Sequence, residues 1–385
     1  MTIVIYHEWT IDPQQGGVER MSVVLADMLS HLGHKVMFLC KNKISDITLK
    51  YPMAYLPNEK KTGINQKYIS TFIKSNNIGM FINQAGLLPQ SKDVSLVFKA
   101  ANIPIVQVLH NSLYGLYSRI NALDKLCFYL PIIHPLLSNK YVKRCIVQLY
   151  KLKYHNYYRW LGRSNDYVIL LSDRYKNEFI DFCHPKNLDR VRAISNPITF
   201  TVDKNNYKKE KIVLFCGRMG IQKRPFYALK IWERISKDFK DWKFIMLGDG
   251  EYLTAIRNYA EKKRISNIEI LGKQNPIPYY KKSSILCLTS SYEGLPLVVL
   301  EALNYGCIPI CFNTFACASE IITDEKDGIL VDRDSINDYV KKLRILLEDE
   351  RLRNYMKSNR FDKLSFYTPE IVIQNWNKLI NEINA

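Results

Sequence analysis

Twice along this chain, short apolar runs alternate with longer amphipathic stretches, and a polar linker separates the two series. In the first series TIVIY (2–6), KVMFLC (35–40), MFIN (80–83), IPIVQVLH (103–110) and YVILLS (167–172) have the length and apolar content of buried strands. After the first of them, VERMSVVLADMLSHLG places Met21, Val24, Leu25, Met28, Leu29 and Leu32 at three- and four-residue steps. That spacing predicts a helix with one apolar face, ended by Gly33. Ser195-Asn196-Pro197 and the polar run TVDKNNYKKEK (201–211) read as the linker. The second series has strands at 211–217, 242–250, 268–272, 284–290 and 308–312, with helices at 224–239, from about Pro296, and around 335–348. A final helix, PEIVIQNWNKLINEI (369–383), has no strand after it. Strands alternating with helices imply parallel sheets joined by right-handed crossovers. A length of 385 residues exceeds what one core usually covers, so the expectation is two α/β domains of similar build.

Charge narrows the partners. The chain holds 55 Lys+Arg against 37 Asp+Glu, a net +18, and residues 1–200 carry 25 and 13 of these. Within 116–164 stand Arg119, Lys125, Lys140, Lys143, Arg144, Lys151, Lys153, Arg159 and Arg163, with Asp124 the lone acid. Apolar and aromatic residues between those cations suit an anionic membrane surface; a solvated basic helical pair is the alternative. Nucleic acid is not expected, because no RNA- or DNA-binding motif accompanies the charge. The start reaches His7 and Glu8 before a long apolar run, so no signal peptide is expected, and no run is long enough to cross a bilayer. The nine cysteines form no CxxC pair and read as small core residues of a reduced, cytoplasmic protein. No metal site is expected from Cys307, Cys311 and Cys317, which lack a suitably spaced His. Asp332-Arg333-Asp334 reads as surface, with Asp334 capping the next helix.

The stretch SSYEGLPLVVLEALNYGCIPI (290–310) is apolar yet carries Glu293 and Glu301 eight positions apart. A strand ends before SYEG and a helix starts near Pro296, so Glu293 falls at the carboxyl edge of a sheet, beside a helix start that favours phosphate. Glu301 lies about 7.5 Å further along that helix, at 1.5 Å per residue. A buried carboxylate is tolerable when it hydrogen-bonds ligand hydroxyls, and sugar hydroxyls fit; pairing with a core cation is the alternative.

Glu293-x7-Glu301 within EGLPLVVLEA resembles the EX7E motif of the retaining glycosyltransferases of family 4, which have the two-domain GT-B fold. The likeness extends over nearly the whole chain through GGVER (16–20), SNP (195–197), FCGRMGIQKRP (215–225), LGDGEY (247–252) and the final helix. It implies two Rossmann-like α/β/α domains facing each other across a cleft: an acceptor domain at 1–197, a donor domain at 205–365, and a terminal segment at 366–385. That last helix would pack back on the first domain through Trp376 and Ile380.

The implied function is transfer of a sugar from a nucleotide-diphosphate sugar to an acceptor hydroxyl with retention and without a metal or other cofactor. The implied acceptor is a glycan or a lipid-linked intermediate of surface polysaccharide assembly, at the cytoplasmic face of a bacterial membrane. Glu293, helped by the backbone of Gly294, Leu295, Pro296 and Leu297, would meet the sugar, and Glu301 the ribose. Arg218 and Lys223, after Gly217, would grip the diphosphate. Gly16 and Gly17 would let backbone approach the sugar-phosphate, and Gly248 belongs to the same donor surface. Gly272, Lys273 and Gln274 would border the base. His110 would stand near the transferred sugar, with Asn111 and, more weakly, Asn83 on the acceptor side; a satisfied strand-end histidine is the alternative for His110. A nucleotide-sugar epimerase of the same fold and a non-catalytic nucleotide- or polyanion-binding protein remain as rival functions.

Overall fold

A computed structural model describes residues 1–57, 62–115, 140–332 and 335–384. Their contacts divide into two units. The first comprises Met1–Leu113, Val147–Thr199 and the chain from Thr368 on; the second comprises Phe200–Tyr367 with the described residues between Tyr114 and Ile146. The sequence had placed all of 1–197 in one domain.

The first unit runs β1 (Thr2–Trp9), α1 (Gly17–His31), β2 (Lys35–Asn42), β3 (Met53–Tyr55), α2 (Thr62–Asn76), β4 (Ile78–Asn83), α3 (Lys92–Ala100) and β5 (Ile105–Leu109). After α4 (Lys140–Lys153) come α5 (His155–Arg163), β6 (Tyr167–Leu170), α6 (Lys176–Cys183) and β7 (Val191–Ala193). The strands form a parallel sheet in the order β3-β2-β1-β4-β5-β6-β7. Its chemistry explains the unbroken apolar run of β1. Ile3 and Ile5 join a core with Leu25 and Leu29 of α1, while Val4 and Tyr6 join the opposite core with Phe72 of α2 and Phe98 of α3. Successive strand residues point to opposite faces, so a sheet covered on both sides needs apolar residues at every position. The terminal helix, Pro369–Asn384, belongs to this unit: Val372, Trp376, Leu379 and Ile380 complete the core on the α1 side.

The second unit has β8 (Glu210–Cys216), α7 (Pro225–Ile235), β9 (Lys243–Leu247), α8 (Leu253–Lys262), β10 (Ile268–Gly272), α9 (Ile277–Lys282) and β11 (Ser283–Leu288). It continues with α10 (Leu297–Asn304), β12 (Ile308–Phe312), α11 (Ala318–Ile321), β13 (Ile329–Val331), α12 (Ile336–Glu348) and α13 (Glu350–Ser358); the terminal helix is α14. Its strands are parallel, in the order β10-β9-β8-β11-β12-β13. Strands β3, β7 and β13, three residues each, escaped the sequence because so short a run has no measurable period.

Two local expectations change. Helix α10 begins at Leu297, with Pro296 as its extended N-cap. Helix α12 is capped by Ser335, whose hydroxyl accepts from the Asp338 N–H; Arg333 and Asp334 lie outside the described residues, as do Cys127 and residues 116–139 of the basic segment, with Arg119 and Lys125. Among the described residues no helix is long and apolar enough to cross a membrane.

Candidate active site

Each sheet reverses its winding once, between β1 and β4 in the first unit and between β8 and β11 in the second. Crossovers leave such a point toward opposite faces, opening a crevice at the carboxyl ends of the strands. The sequence-predicted residues gather at those two edges.

In the second unit the loop after β8 is stapled to the loop after β11. The Ser291 N–H donates to the Gln222 carbonyl at 2.9 Å, and the Thr289 hydroxyl donates to the carbonyls of Lys223 and Arg224 at 2.9 and 3.0 Å. This brings the Lys223 ammonium to 2.5 Å from Glu293 Oε1, with the two side chains only 15% and 6% exposed. The other carboxylate oxygen accepts from Gln222 Nε2 at 3.1 Å, and the same amide donates to the Tyr292 carbonyl at 3.2 Å. A carboxylate so far from water is stable here because a cation and a neutral donor both hold it. Arg218 stands exposed in the same loop.

Pro296 offers no side-chain cap to α10. The helix thus presents its positive end there, with the Val299 N–H donating to the Pro296 carbonyl at 2.9 Å, and that end suits an anion. Gly294 and Leu295, buried between Glu293 and the helix, are held partly by Cys317, whose thiol donates to the Gly294 carbonyl at 3.1 Å. Further along α10, Glu301 is half-buried and its Oε2 accepts from the Tyr280 hydroxyl at 3.0 Å. Burial pushes that hydroxyl well above its ordinary pKa, and the nearby Cys216 and Glu301 push it the same way, so it remains a neutral donor.

Gly217, Gly248 and Gly272 end three adjacent strands, linked by bonds from the Gly217 N–H to the Leu247 carbonyl (3.1 Å) and from the Gly248 N–H to the Gly272 carbonyl (2.8 Å). At Gly248 a Cβ would lie 1.9 Å from the Gly217 carbonyl oxygen, so the close packing of these two turns requires glycine there. Lys273 and Gln274 follow β10 and are exposed; the Gln274 amide donates to the Leu271 carbonyl at 3.3 Å.

The first unit's edge is of a different kind. His110 follows β5 and is half-buried, with Nε2 hydrogen-bonded to Gln84 Oε1. That partner puts the proton on Nε2 and leaves Nδ1 as the acceptor. Burial, reinforced by the neighbouring His7, lowers its pKa to about 3, so the ring is neutral across the physiological range. His7 itself is buried, its Nδ1 lying 3.1 Å from the Trp9 carbonyl oxygen and 3.3 Å from the Trp9 nitrogen, and its Nε2 3.8 Å from Glu19 Oε1. Gly16 is the N-cap of α1, and Glu19 folds back over it: a Cβ at Gly16 would meet Glu19 Oε2 at 2.2 Å. A side chain at Gly16 would have to displace that carboxylate. Gly17, in contrast, has open space where a Cβ would point.

Asn83 takes a structural role rather than an acceptor-side one. It is fully buried, in register with Tyr6 and Gln107 on the neighbouring strands. Its amide nitrogen donates to Gln107 Oε1 at 2.7 Å and to Ser91 Oγ at 2.9 Å, while its oxygen accepts from the Ala85 N–H at 2.8 Å. A side chain whose polar atoms are all engaged in the core presents nothing to a ligand. Asn111 is half-buried, its oxygen turned to the Ser112 N–H at 3.1 Å.

Sequence reasoning missed Gln222, Tyr280, Gln84, His7 and Glu19. Gln222 and Glu19 sit inside the quoted segments, where an adjacent polar residue could have been weighed. Nothing local marks Tyr280, since its bond to Glu301 spans 21 residues.

Residues 199–362 match the model of the family described as glycosyl transferases group 1. The chain is 26% identical over 373 residues to the amylovoran biosynthesis glycosyltransferase AmsD of Erwinia amylovora, covering 95% of this chain and 96% of that protein. It is 31% identical over 199 residues to the GalNAc-alpha-(1->4)-GalNAc-alpha-(1->3)-diNAcBac-PP-undecaprenol alpha-1,4-N-acetyl-D-galactosaminyltransferase of Campylobacter jejuni, 50% of this chain and 55% of that one. Among solved structures, Anabaena HepE in complex with UDP-glucose superposes with a TM-score of 0.75 at 14% identity, over 99% of this chain and 100% of its own.

Proposed function

We propose, from the premise that residues 199–362 form a group 1 glycosyl transferase domain, that this chain transfers a sugar from a nucleotide-diphosphate donor to an acceptor hydroxyl with retention and without a metal. The observation that carries the reading is the Lys223–Glu293 pair beside the uncapped start of α10. As the bond between the sugar's anomeric carbon and the diphosphate oxygen breaks, negative charge builds on the leaving nucleoside diphosphate. Lys223, Arg218 and the first-turn N–H groups of α10 receive that charge from fixed positions. An ammonium has three hydrogens, so Lys223 serves the phosphate while still holding Glu293. The acceptor hydroxyl attacks the face the phosphate leaves, and its proton passes to the departing phosphate oxygen. Neutral His110 accepts a hydrogen bond from a sugar hydroxyl through Nδ1.

A diphosphate donor is supported by the UDP-glucose bound to HepE, which has the same fold. A lipid-linked polysaccharide acceptor is supported by the names of the relatives, one an amylovoran enzyme and one acting on a diphospho-undecaprenol glycan. Peripheral attachment to the inner face of a membrane is supported by α4, where Tyr141, Leu149 and Leu152 are 71%, 66% and 71% exposed on a helix whose last turn holds Lys151 and Lys153. Co-sedimentation with liposomes should then grow with anionic lipid and weaken with salt; indifference to both would remove the membrane from the proposal.

The decisive experiment is a panel of nucleotide sugars screened by thermal shift. A true donor at a hundredfold its Kd should stabilise the protein by about 2.7 kcal/mol. Incubation of that donor with diphospho-lipid acceptors in the presence of a chelator should yield product with the donor's anomeric configuration, read by NMR. Donor consumption without any acceptor would favour an epimerase, and no donor shift across the panel would sink the reading.

A further inference from the structure

We propose that Tyr280 is a positioning residue that presets the Glu301 carboxylate for the ribose hydroxyls of the donor nucleotide. The inference rests on Glu301 being the ribose ligand, as argued above.

A buried tyrosine hydroxyl needs a partner, and any nearby carbonyl would satisfy it. Here one partner, beside Cys216, is a carboxylate oxygen of the motif itself, Glu301 Oε2, at 3.0 Å. With Oε2 occupied, the carboxylate has its rotamer set and directs Oε1 to other donors. The hydroxyl is in turn fixed by the backbone around it. The ammonium of half-buried Lys209 donates to the carbonyls of Tyr280 at 2.8 Å, Lys281 at 3.0 Å and Tyr305 at 2.7 Å. Tyr280 and Lys281 belong to the last turn of α9, and Tyr305 is the C-cap of α10, so one cation ties the negative ends of both helices together. The Tyr280 and Tyr305 rings stack with centroids 6.3 Å apart and planes at 10°. Tyr305 also closes the turn that begins at Glu301, its N–H donating to the Glu301 carbonyl at 3.3 Å. The distance from hydroxyl to carboxylate is therefore set from both sides before any ligand arrives. Glutamate has several rotatable bonds, and ordering it in advance removes that entropy from the binding step.

The test compares Tyr280→Phe with wild type, using the nucleoside diphosphate of the donor and its 2′,3′-dideoxy counterpart as calorimetric probes. Wild type should prefer the ribose form. In Tyr280→Phe the ribose form should loosen roughly tenfold, the dideoxy form should bind as before, and kcat at saturating donor should stay within about twofold. An unchanged preference in Tyr280→Phe overturns the inference while leaving Glu301 as the ribose ligand. Absence of any preference in wild type overturns the ribose assignment itself. Should Tyr280→Phe lose stability, the same substitution is made on Glu301→Ala: a positioning role predicts no further loosening of the ribose form there, and further loosening overturns it.

Discussion

The carboxyl edges of the two sheets have the same topology and opposite chemistry. In the second unit a lysine and a glutamate face each other at 2.5 Å in near-complete burial, with an exposed arginine in the same loop. In the first unit the corresponding edge presents a histidine that burial holds neutral, hydrogen-bonded to an amide. A charged edge is costly to build and suits a ligand whose charge grows during reaction. A neutral imidazole that donates and accepts suits hydroxyl groups, which it can align without competing for a proton.

The sharpest way to break this contrast is to remove charge from the second unit. Lys223→Ala should lower transfer by at least ~10²–10³-fold, the range for loss of one fixed stabilising group. It should also lower Tm, because Glu293 is left buried without its cation. Glu301→Ala should abolish transfer to a similar degree through donor binding, and full activity in both variants would refute the donor site.

In the first unit, His110→Gln should cost roughly 10–10²-fold in kcat, the scale of one lost hydrogen bond, and leave the shape of the pH–rate profile unchanged between about pH 5 and 8. The folded pKa of about 3 lies below the unfolded value near 6.5, so the folded state binds fewer protons between them and His110 lowers stability as pH falls through that window. The glutamine variant should accordingly lose less stability than wild type on acidification from pH 7 to 5, as measured by urea titration. A profile inflection near pH 6.5 that disappears in the variant would show that the ring titrates and that the edge is not neutral.

Asn83→Ala separates structure from chemistry. It leaves buried partners without their bonds and should cost about 1–3 kcal/mol of stability, with kcat/KM of the folded protein unchanged. The smallest effect is expected at Arg224, which holds a left-handed φ of +47° while its guanidinium lies 4.9 Å over the Tyr227 ring. Arg224→Gly relieves about 1–2 kcal/mol of backbone strain and forfeits a buried side chain with its contact to the Tyr227 ring, so the two effects oppose each other and the net shift in Tm should be smaller than that of Asn83→Ala.

Much of the second unit's proposed site is legible in the sequence. Glu293 and Glu301 stand out as carboxylates in an apolar stretch, and Lys223 as a cation after a strand. Their eight-residue spacing is set within one turn and one helix, which is local information. Gln222 was hidden only by its bland side chain, whereas Tyr280 was hidden by topology, reaching Glu301 from another helix. In the first unit Asn83 misled, because an asparagine ending a strand looks the same in sequence whether its amide faces a ligand or a core of Ser91, Ser95 and Gln107.

The sequence alone determined the repeating strand-helix order, the two-unit plan and the carboxylates at a helix start, because hydrophobic period and local turn chemistry act over neighbouring residues. Only the tertiary structure decided which polar groups meet. The pairing of Lys223 with Glu293, the clamp on Glu301 and the depressed pKa of His110 each depend on distances between segments far apart in the chain. Burial then amplifies those contacts by removing the water that would otherwise screen them.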